Sequence, residues 1–298
     1  MGGGSWTTNS FADYTTSTKG MSYDTYTTSN TLRVQDIFSS HGIDEAMKPY
    51  QIVRECCDTD EHPETVPVIL ALDVTGSMGA GAVKVAQKLN QIMTDIYTNN
   101  SIKDVEFCVM GIGDVKYDHA PIQMSQFESD VRIAEWLDKI YFDHGVGGNS
   151  FESYTGAWYM GARHCKLDCW KRGKKGIIIT MGDELPNPYI PGGQLAMLTG
   201  DNLQGDVETQ DLLREVSEKF DVYHISIEDG STSHSYYMNN AHLDVEWKKL
   251  LGEDHFFIAG LNDLPAKISN IIKECVDAPT PITSGIGVKE NDNFEVIW

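Results

Sequence analysis

Short apolar runs that alternate with helical patterns constrain the fold of this chain more than any other feature. The runs are rich in β-branched residues and end near Gly or Asp, which is typical of strands buried on both faces of a sheet. They cover 66–72, 105–113, 176–182, 222–227 and 255–260. Stretches with apolar residues at helical spacing follow them, at 79–97, 125–140, 207–220 and 263–276. This alternation predicts an α/β fold with a doubly wound, mostly parallel, Rossmann-like central sheet flanked by helices.

The alternating pattern covers residues 64–278, and the rest of the chain has a different composition. Residues 1–63 form an N-terminal extension whose first part is rich in Ser, Thr, Gly and Tyr and shows no clear period. This composition predicts an extended or disordered arm. A short helix is expected over 43–49. The tail 279–298 is punctuated by Pro and Gly and ends in FEVIW, for which we predict an additional edge strand.

Charge and composition exclude several functions. The chain has 298 residues, with 23 Lys+Arg against 44 Asp+Glu, a formal net charge of −21 and 41% hydrophobic residues. The apolar fraction is enough for a core, whereas binding to nucleic acid or anionic lipid requires a basic surface. The sequence shows no long apolar span, no secretory signal and too few cysteines for a disulfide framework. We therefore expect a cytoplasmic protein that binds neither nucleic acid nor membrane.

Oxygen-bearing side chains follow the ends of several predicted strands. The first strand leads into Asp73, Thr75 and Ser77, which are spaced two residues apart in a tight turn before a helix. Oxygen-only ligands suit a hard cation such as Mg²⁺ and not zinc, although the two hydroxyls could equally cap the helix. The carboxyl ends of parallel strands meet at one edge of a sheet. Further donors expected at that edge are Asp114, Asn149, Ser150, Asp183 and Glu184. Convergence from several loops favours a cation site over capping.

These motifs resemble the von Willebrand factor type A domain in the form that carries a metal-ion-dependent adhesion site. The first motif of that family, DxSxS after the central strand, corresponds to the DxTxS loop that begins at Asp73, with Thr in place of the first Ser. The resemblance covers residues 64–278 and implies that the 66–72 strand is central, between 105–113 and 176–182. It is greatest for intracellular bacterial or phage-type members with GGNxxES and GDE signatures.

The resemblance also implies the metal ligands. Asp183 corresponds to the last family position, an Asp after the fourth core strand. The family's middle position is a Thr in a loop before a helix, and here Asn149 or Ser150 stands in its place. Asp73 and Asp183 would hold the ion largely through water, whereas Thr75 and Ser77 would ligate it more directly. The ion would be Mg²⁺, Mn²⁺ or Ca²⁺.

The function implied by the resemblance is protein binding and not catalysis. Hydroxyls and about two carboxylates leave positive charge on a six-coordinate ion, so an Asp or Glu of a partner can complete the octahedron. Intracellular relatives work beside AAA+ ATPases or within multi-protein machines. The resemblance therefore implies an adaptor or assembly subunit, with an AAA+ ATPase complex as a candidate partner.

The sequence leaves two other functions open. A strand followed by DxTGS, and a later strand followed by Gly-Asp, is also similar to haloacid-dehalogenase-type phosphotransferases, in which Asp73 would be the nucleophile. That mechanism needs a second acid a few residues after the Gly-Asp, where only the adjacent Glu184 is available, and it gives the GGN loop no role. Alternatively, the protein is a structural assembly subunit with a vestigial metal site.

Overall fold

The central sheet predicted from the apolar runs is confirmed in the computed structural model, which describes residues 5–98, 102–143, 151–228 and 240–278. The predicted edge strand at FEVIW lies outside these residues. In chain order the strands are β1 (Arg54–Cys56), β2 (Val66–Asp73), β3 (Val105–Ile112), β4 (Ile122–Met124), β5 (Phe151–Glu152), β6 (Cys165–Leu167), β7 (Gly176–Gly182), β8 (Leu185–Pro186), β9 (Tyr189–Ile190), β10 (Val207–Glu208), β11 (Phe220–Ile227) and β12 (Phe256–Ala259).

Six of these strands form one sheet in the order β12-β11-β7-β2-β3-β4. All neighbours are parallel except β4, which pairs antiparallel with β3 at the edge. As predicted, β2 is central and lies between β3 and β7. The chain extends the sheet first toward β4 and then returns to build β7, β11 and β12. The switch of direction therefore falls between β2 and β7, where open α/β sheets bind ligands.

Helices cover both faces of this sheet. In chain order they are α1 (Thr8–Lys19), α2 (Tyr23–Thr28), α3 (Val34–Ile37), α4 (Gly79–Thr98), α5 (Arg132–Lys139), α6 (Thr155–Arg163), α7 (Gly192–Thr199), α8 (Thr209–Ser217), α9 (Asn240–Leu251) and α10 (Leu264–Asp277). The helix predicted over 43–49 is a single 3₁₀ turn, Glu45–Met47. Alternate residues of β2 reach opposite cores, since Leu70 packs with α4 and α10 whereas Ile69 packs with α6 and α8.

The helix predicted over 125–140 is wrong in its first half. Only Arg132–Lys139 is helical. Phe107 of β3 and Glu128 exchange two backbone hydrogen bonds of 2.7 and 2.9 Å, which hold the preceding segment as an isolated β-bridge beside the sheet. Pairing with a sheet edge therefore overrides the helical spacing of the apolar residues there.

The N-terminal extension differs from the predicted extended or disordered arm. Thr7 caps α1, and Phe11 of α1 is fully buried. The Phe11 ring lies 5.2 Å from the ring of Trp6 and 5.5 Å from that of Tyr26. Trp6 in turn donates a hydrogen bond of 3.3 Å to Asn90 of α4. A few aromatic anchors thus bind a largely polar segment to the α/β domain.

The described helices include none that is both long and apolar enough to cross a membrane.

Candidate metal site

The loop after β2 folds around the carboxylate of Asp73. This side chain is fully buried, and its Oδ1 accepts hydrogen bonds from the backbone N–H of Thr75 at 3.0 Å and from the Thr75 hydroxyl at 2.6 Å. The hydroxyl oxygens of Thr75 and Ser77 lie 3.2 Å apart. The structure therefore brings the three oxygen-bearing side chains of the DxTxS loop together.

Asp183 reaches the same point from the neighbouring strand. Because β2 and β7 are parallel and paired, the loops after Asp73 and Gly182 start side by side. Asp183 is fully buried, and its Oδ1 accepts a hydrogen bond of 3.1 Å from the Ser77 hydroxyl. Among the described residues no group donates a hydrogen bond to its other oxygen, Oδ2, which is also buried.

The hydroxyls of Thr75 and Ser77 connect the two carboxylates. Thr75 can donate to Asp73 and Ser77 to Asp183, and the two hydroxyls are themselves within hydrogen-bond distance at 3.2 Å, where either can be the donor. Two neutral oxygens and two carboxylates therefore meet at one point, an arrangement that a divalent cation would stabilise.

Burial makes ionisation of the carboxyl groups around this site unfavourable. Burial raises the pKa of Asp73 to about 6, that of Asp183 to about 8 and that of Glu184 to about 7. Burial, followed by the charge of Asp73, raises the pKa of Glu152 well above its ordinary value. In the described part of the chain, none of these four carboxyl groups forms an ion pair with Lys, Arg or His. A cation would compensate this negative charge without protonation.

Two residues near this site were not predicted from sequence. Tyr154, whose helical spacing with its aromatic neighbours predicts a core residue, is indeed buried, but its hydroxyl donates a hydrogen bond of 2.8 Å to Asp73 Oδ2. Glu152 lies within the GGNxxES signature, on β5, and is only 9% exposed, with no hydrogen-bond donor to Oε2 among the described residues. The signature was the only available signal for Glu152, and nothing local marks Tyr154.

Another predicted donor, Asp114, is engaged by neighbouring loops. It is buried, and its Oδ1 accepts hydrogen bonds from the backbone N–H of Lys116 at 2.9 Å and from the side-chain amide of Asn187, between β8 and β9, at 3.2 Å. Asn149 and Ser150, the alternatives for the middle ligand, lie outside the described residues.

The available residues fit a hard cation only if the hydroxyls take part. Within the described ranges, no group of three or more His, Cys, Asp or Glu side chains is arranged to hold a metal ion. The donors that do converge are two carboxylates and two hydroxyls, from Asp73, Thr75, Ser77 and Asp183. Oxygen-only donors of this kind suit Mg²⁺, Mn²⁺ or Ca²⁺.

The sheet order and the position of these loops define a doubly wound α/β protein, in which β2 is central as the resemblance to the von Willebrand factor type A domain implies. The structure is similar to that of the pilus adhesin SpaC from Lactobacillus rhamnosus GG in its open conformation, with a TM-score of 0.50 and 13% identity over 72% of this chain and 30% of that chain. The chain thus spans less than a third of the SpaC structure. At this identity the similarity shows a shared fold.

Smaller proteins give similar matches. The vWF domain of the type V pili tip protein Mfa5 from Porphyromonas gingivalis has a TM-score of 0.43 and 15% identity, over 70% of this chain and 94% of that chain. The conserved hypothetical protein BatB from Bacteroides thetaiotaomicron has a TM-score of 0.39 and 13% identity, over 72% of this chain and all of that chain. The sequence itself matches no protein-family model and no curated protein.

Proposed function

We propose that this protein is a metal-dependent protein-binding module, in which a divalent cation bridges this chain to an Asp or Glu of a partner. The observation that carries the proposal is the convergence of the Thr75 and Ser77 hydroxyl oxygens with the buried carboxylate of Asp183, which keeps one oxygen without a donor among the described residues. The proposed ligand set is Asp73, Thr75, Ser77 and Asp183, with Asn149 or Ser150 in the middle position.

The residues of the set have different roles. Thr75 and Ser77 present neutral oxygens, so they hold a cation without cancelling its charge. Both oxygens of Asp73 already accept hydrogen bonds, from Thr75 and from Tyr154, which favours contact with the ion through water. Asp183 keeps one buried oxygen without a donor among the described residues and is therefore the carboxylate best placed for a closer contact. The ion, when bound, supplies a positive charge and a coordination position for a partner carboxylate.

The biological setting is proposed from the sequence motifs. The resemblance of the motifs to intracellular family members favours an adaptor or assembly subunit in the cytoplasm, with a partner such as an AAA+ ATPase complex. The ion is Mg²⁺, Mn²⁺ or Ca²⁺. With a net charge of −21, the protein repels an acidic partner at long range, so we expect binding to improve with moderate salt and to fail without the ion.

The geometry around Asp73 disfavours the phosphotransferase alternative. A nucleophilic carboxylate must reach its substrate, but Asp73 is fully buried and both of its oxygens are engaged in hydrogen bonds. We therefore propose that the protein is not an enzyme. A structural subunit with a vestigial metal site is the remaining alternative, and it differs in having no response to divalent ions.

The test uses two measurements on the wild type, Ser77→Ala and Asp183→Asn. We expect Mg²⁺ or Mn²⁺ to raise the melting temperature of the wild type, because an ion that binds only the folded state stabilises it, and to leave both variants unchanged. Capture of partners from a cell lysate should be lost in EDTA and in both variants. Asp13→Asn, which alters an exposed carboxylate on α1, is the matched control.

The two measurements separate the alternatives. No thermal response to any divalent ion would favour the structural subunit. A thermal response together with partner capture that survives EDTA would show a metal site that does not bridge to the partner. Hydrolysis of a phosphate ester that depends on Asp73 would restore the phosphotransferase.

A further inference from the structure

A small groove opens at the same edge of the sheet as the candidate metal site, beside the loop that follows β3. It has a volume of about 240 Å³, below the roughly 300–1,000 Å³ that is usual for small-molecule pockets. This size suits a short stretch of chain better than a cofactor. We call it the aromatic groove, and the lining residues that matter here are Lys116, Tyr117, Phe151, Pro188, Tyr189 and Pro191.

Three aromatic side chains of the groove are exposed to solvent. Tyr117 is 42% exposed, Phe151 36% and Tyr189 38%. In the described part of the chain only eight large apolar side chains are exposed to this degree, and three of them line this one groove. Single exposed apolar residues are normal, whereas a cluster of them marks an interaction site.

Hydrogen-bonded backbone holds the three rings in place. Phe151 lies on β5, which pairs with β8, and Tyr189 lies on β9, which pairs with β10. The backbone N–H of Tyr117 donates to Asp114 O at 3.1 Å and closes a turn after β3. Because the backbone of the groove is fixed before a ligand arrives, binding costs little ordering of the chain.

Three polar groups of the groove are able to donate hydrogen bonds to a ligand. Among the described residues, the hydroxyls of Tyr117 and Tyr189 have no hydrogen-bond partner, and Lys116 Nζ contacts only the Tyr117 ring, 5.3 Å from its centroid. Asp114, the carboxylate of the lining, is only 4% exposed and is engaged by the donors described above. A complementary ligand therefore presents carbonyl or carboxylate oxygens to the donors and apolar surface to the rings.

The groove is close to the candidate metal site. A Cβ atom on Gly113 would lie 3.4 Å from Thr75 Cγ2, and the residue after Gly113 lines the groove. In the segment before α6, Tyr154 donates to Asp73, and Phe151, three positions earlier, lines the groove. Three residues of extended chain reach at most about 11 Å. One peptide is therefore long enough to contact both places.

We propose that the aromatic groove binds a proline-containing segment of the partner in polyproline II conformation, and that an Asp or Glu three to four residues from the proline reaches the metal ion. Proline rings present apolar faces to aromatic side chains. A polyproline II segment has no internal hydrogen bonds, so its carbonyl oxygens are available to the hydroxyls of Tyr117 and Tyr189. The carbonyl oxygens of an α-helix are bonded within the helix and would leave these donors unused.

Length and charge agree with this ligand. At about 3.1 Å per residue, three to four residues of polyproline II span about 9–12 Å, which matches the reach of the segment from Phe151 to Tyr154. Lys116 adds a positive charge that is complementary to an acidic segment. The carboxylate contact rests on the proposed metal bridge, whereas the proline contact does not.

The probe is a fluorescein-labelled peptide of six prolines with a Glu at each end, EPPPPPPE, which allows either chain direction. Fluorescence anisotropy with the full-length protein in Mg²⁺ is the measurement. We expect saturable binding about tenfold tighter than that of ESGSGSGE, which keeps both carboxylates but has no prolines. Tyr117→Ala and Tyr189→Ala should each weaken EPPPPPPE binding about tenfold. Tyr50→Ala, at a tyrosine that is 55% exposed and outside the groove, should leave it unchanged.

Removal of the ion separates the groove from the metal bridge. In EDTA, or in Ser77→Ala, EPPPPPPE should bind only as well as QPPPPPPQ, which keeps the prolines but has no carboxylate. The remaining binding should still be weakened by Tyr117→Ala and Tyr189→Ala. Binding of EPPPPPPE that is insensitive to EDTA but lost in both tyrosine variants would support the groove and contradict the metal bridge.

Three results would overturn the assignment of the groove. The first is the absence of saturable EPPPPPPE binding to the wild type. The second is equal affinity for EPPPPPPE and ESGSGSGE, which would exclude recognition of proline. The third is unchanged affinity in both Tyr117→Ala and Tyr189→Ala; if that binding is nevertheless lost in EDTA, the metal bridge holds without the groove.

Discussion

The hydroxyl of Tyr154 donates a hydrogen bond to Asp73 Oδ2 at 2.8 Å, although the two residues are 81 positions apart in the sequence. The Tyr154 hydroxyl oxygen in turn accepts a hydrogen bond of 3.3 Å from the backbone N–H of Glu184. The Tyr154 ring is fully buried and lies 4.8 Å from His224 and 5.7 Å from Trp247. One side chain at the start of α6 thus connects the loops after β2 and β7, and the position of Asp73 depends on more than its own loop.

The first prediction concerns this hydrogen bond. Tyr154→Phe keeps the ring but leaves Asp73 Oδ2 buried without its donor, so we expect the free energy of unfolding to fall by about 1–3 kcal/mol. Urea denaturation monitors this loss. We also expect a weaker thermal response to Mg²⁺, because Asp73 is no longer held in place.

Tyr97→Phe is the matched control for this variant. Tyr97 donates a hydrogen bond of 2.8 Å to Val105 O, at the start of β3, whereas Asp183 follows the end of β7, so the two lie at opposite ends of the parallel strands. The Tyr97→Phe variant should lose stability in the same way but keep the full thermal response to Mg²⁺. Equal responses to Mg²⁺ in the two variants would show that Tyr154 has no part in positioning Asp73.

A second prediction follows from the space beside Gly182. A Cβ atom at this position would lie 2.6 Å from two atoms of the Tyr154 ring and still closer to its hydroxyl. Since the ring is buried and cannot move away, we expect Gly182→Ala to lower the free energy of unfolding by about 1–3 kcal/mol. Gly193→Ala, in α7, places its Cβ where no atom lies within 4 Å. It should instead stabilise the protein by up to about 1 kcal/mol, since Ala is the better helix former. The free energies of unfolding are measured by chemical denaturation, and equal changes in the two variants would contradict the prediction.

A third prediction concerns pH. Burial lowers the pKa of His224 well below its ordinary value of 6.5. The Thr180 hydroxyl donates to Tyr223 O, so it accepts from His224 Nδ1 at 2.8 Å, and Nε2 is buried without a donor among the described residues. Below pH 6.5 the unfolded chain binds a proton that the folded protein does not. This residue therefore lowers stability by about 1.4 kcal/mol for each pH unit below that value.

The variant that isolates this effect is His224→Asn, whose amide can still donate to Thr180. It should be less stable than the wild type at pH 7, because it loses the stacking of His224 on Trp247 at 3.7 Å. The difference should shrink by about 2 kcal/mol between pH 7 and pH 5, because only the wild type has the histidine to protonate on unfolding. Urea midpoints at the two pH values provide the measurement, and the other titrating groups cancel in the comparison. If the stability difference between the wild type and His224→Asn does not change with pH, the pKa of His224 is not lowered in the folded protein.

A fourth prediction tests whether the N-terminal extension is part of the folded domain. Phe11 is fully buried against Trp6 and Tyr26, so Phe11→Ala should cost about 3–5 kcal/mol. Met197→Ala, at a side chain that is 74% exposed, should change stability by less than about 0.5 kcal/mol. If the extension unfolds separately, Phe11→Ala will instead leave the main unfolding transition at its wild-type midpoint.

Local patterns predicted five of the six strands of the sheet, including the edge strand β12, but not the other edge strand, β4. The run at 66–72 is β2 with one more residue, because a strand buried on both faces must be apolar throughout. The helix predicted from residue 125 failed because Glu128 pairs with Phe107 of β3 instead. The order of β2, β3 and β7 followed from a family resemblance, whereas the antiparallel edge strand β4 left no comparable signal.

The sequence alone determined the sheet, the DxTxS loop at Asp73 and the carboxylate that follows β7, because strand periodicity and side-chain spacing are local properties that a linear pattern records. Tertiary structure decided that Ser77 reaches Asp183, that Tyr154 holds Asp73, and that the N-terminal extension packs against α4. Each of these contacts joins residues more than 50 positions apart. Their energy comes from burial and from hydrogen bonds that form only when the chain has folded. Because each contact depends on a single polar or aromatic residue, it produces no periodic pattern in the sequence.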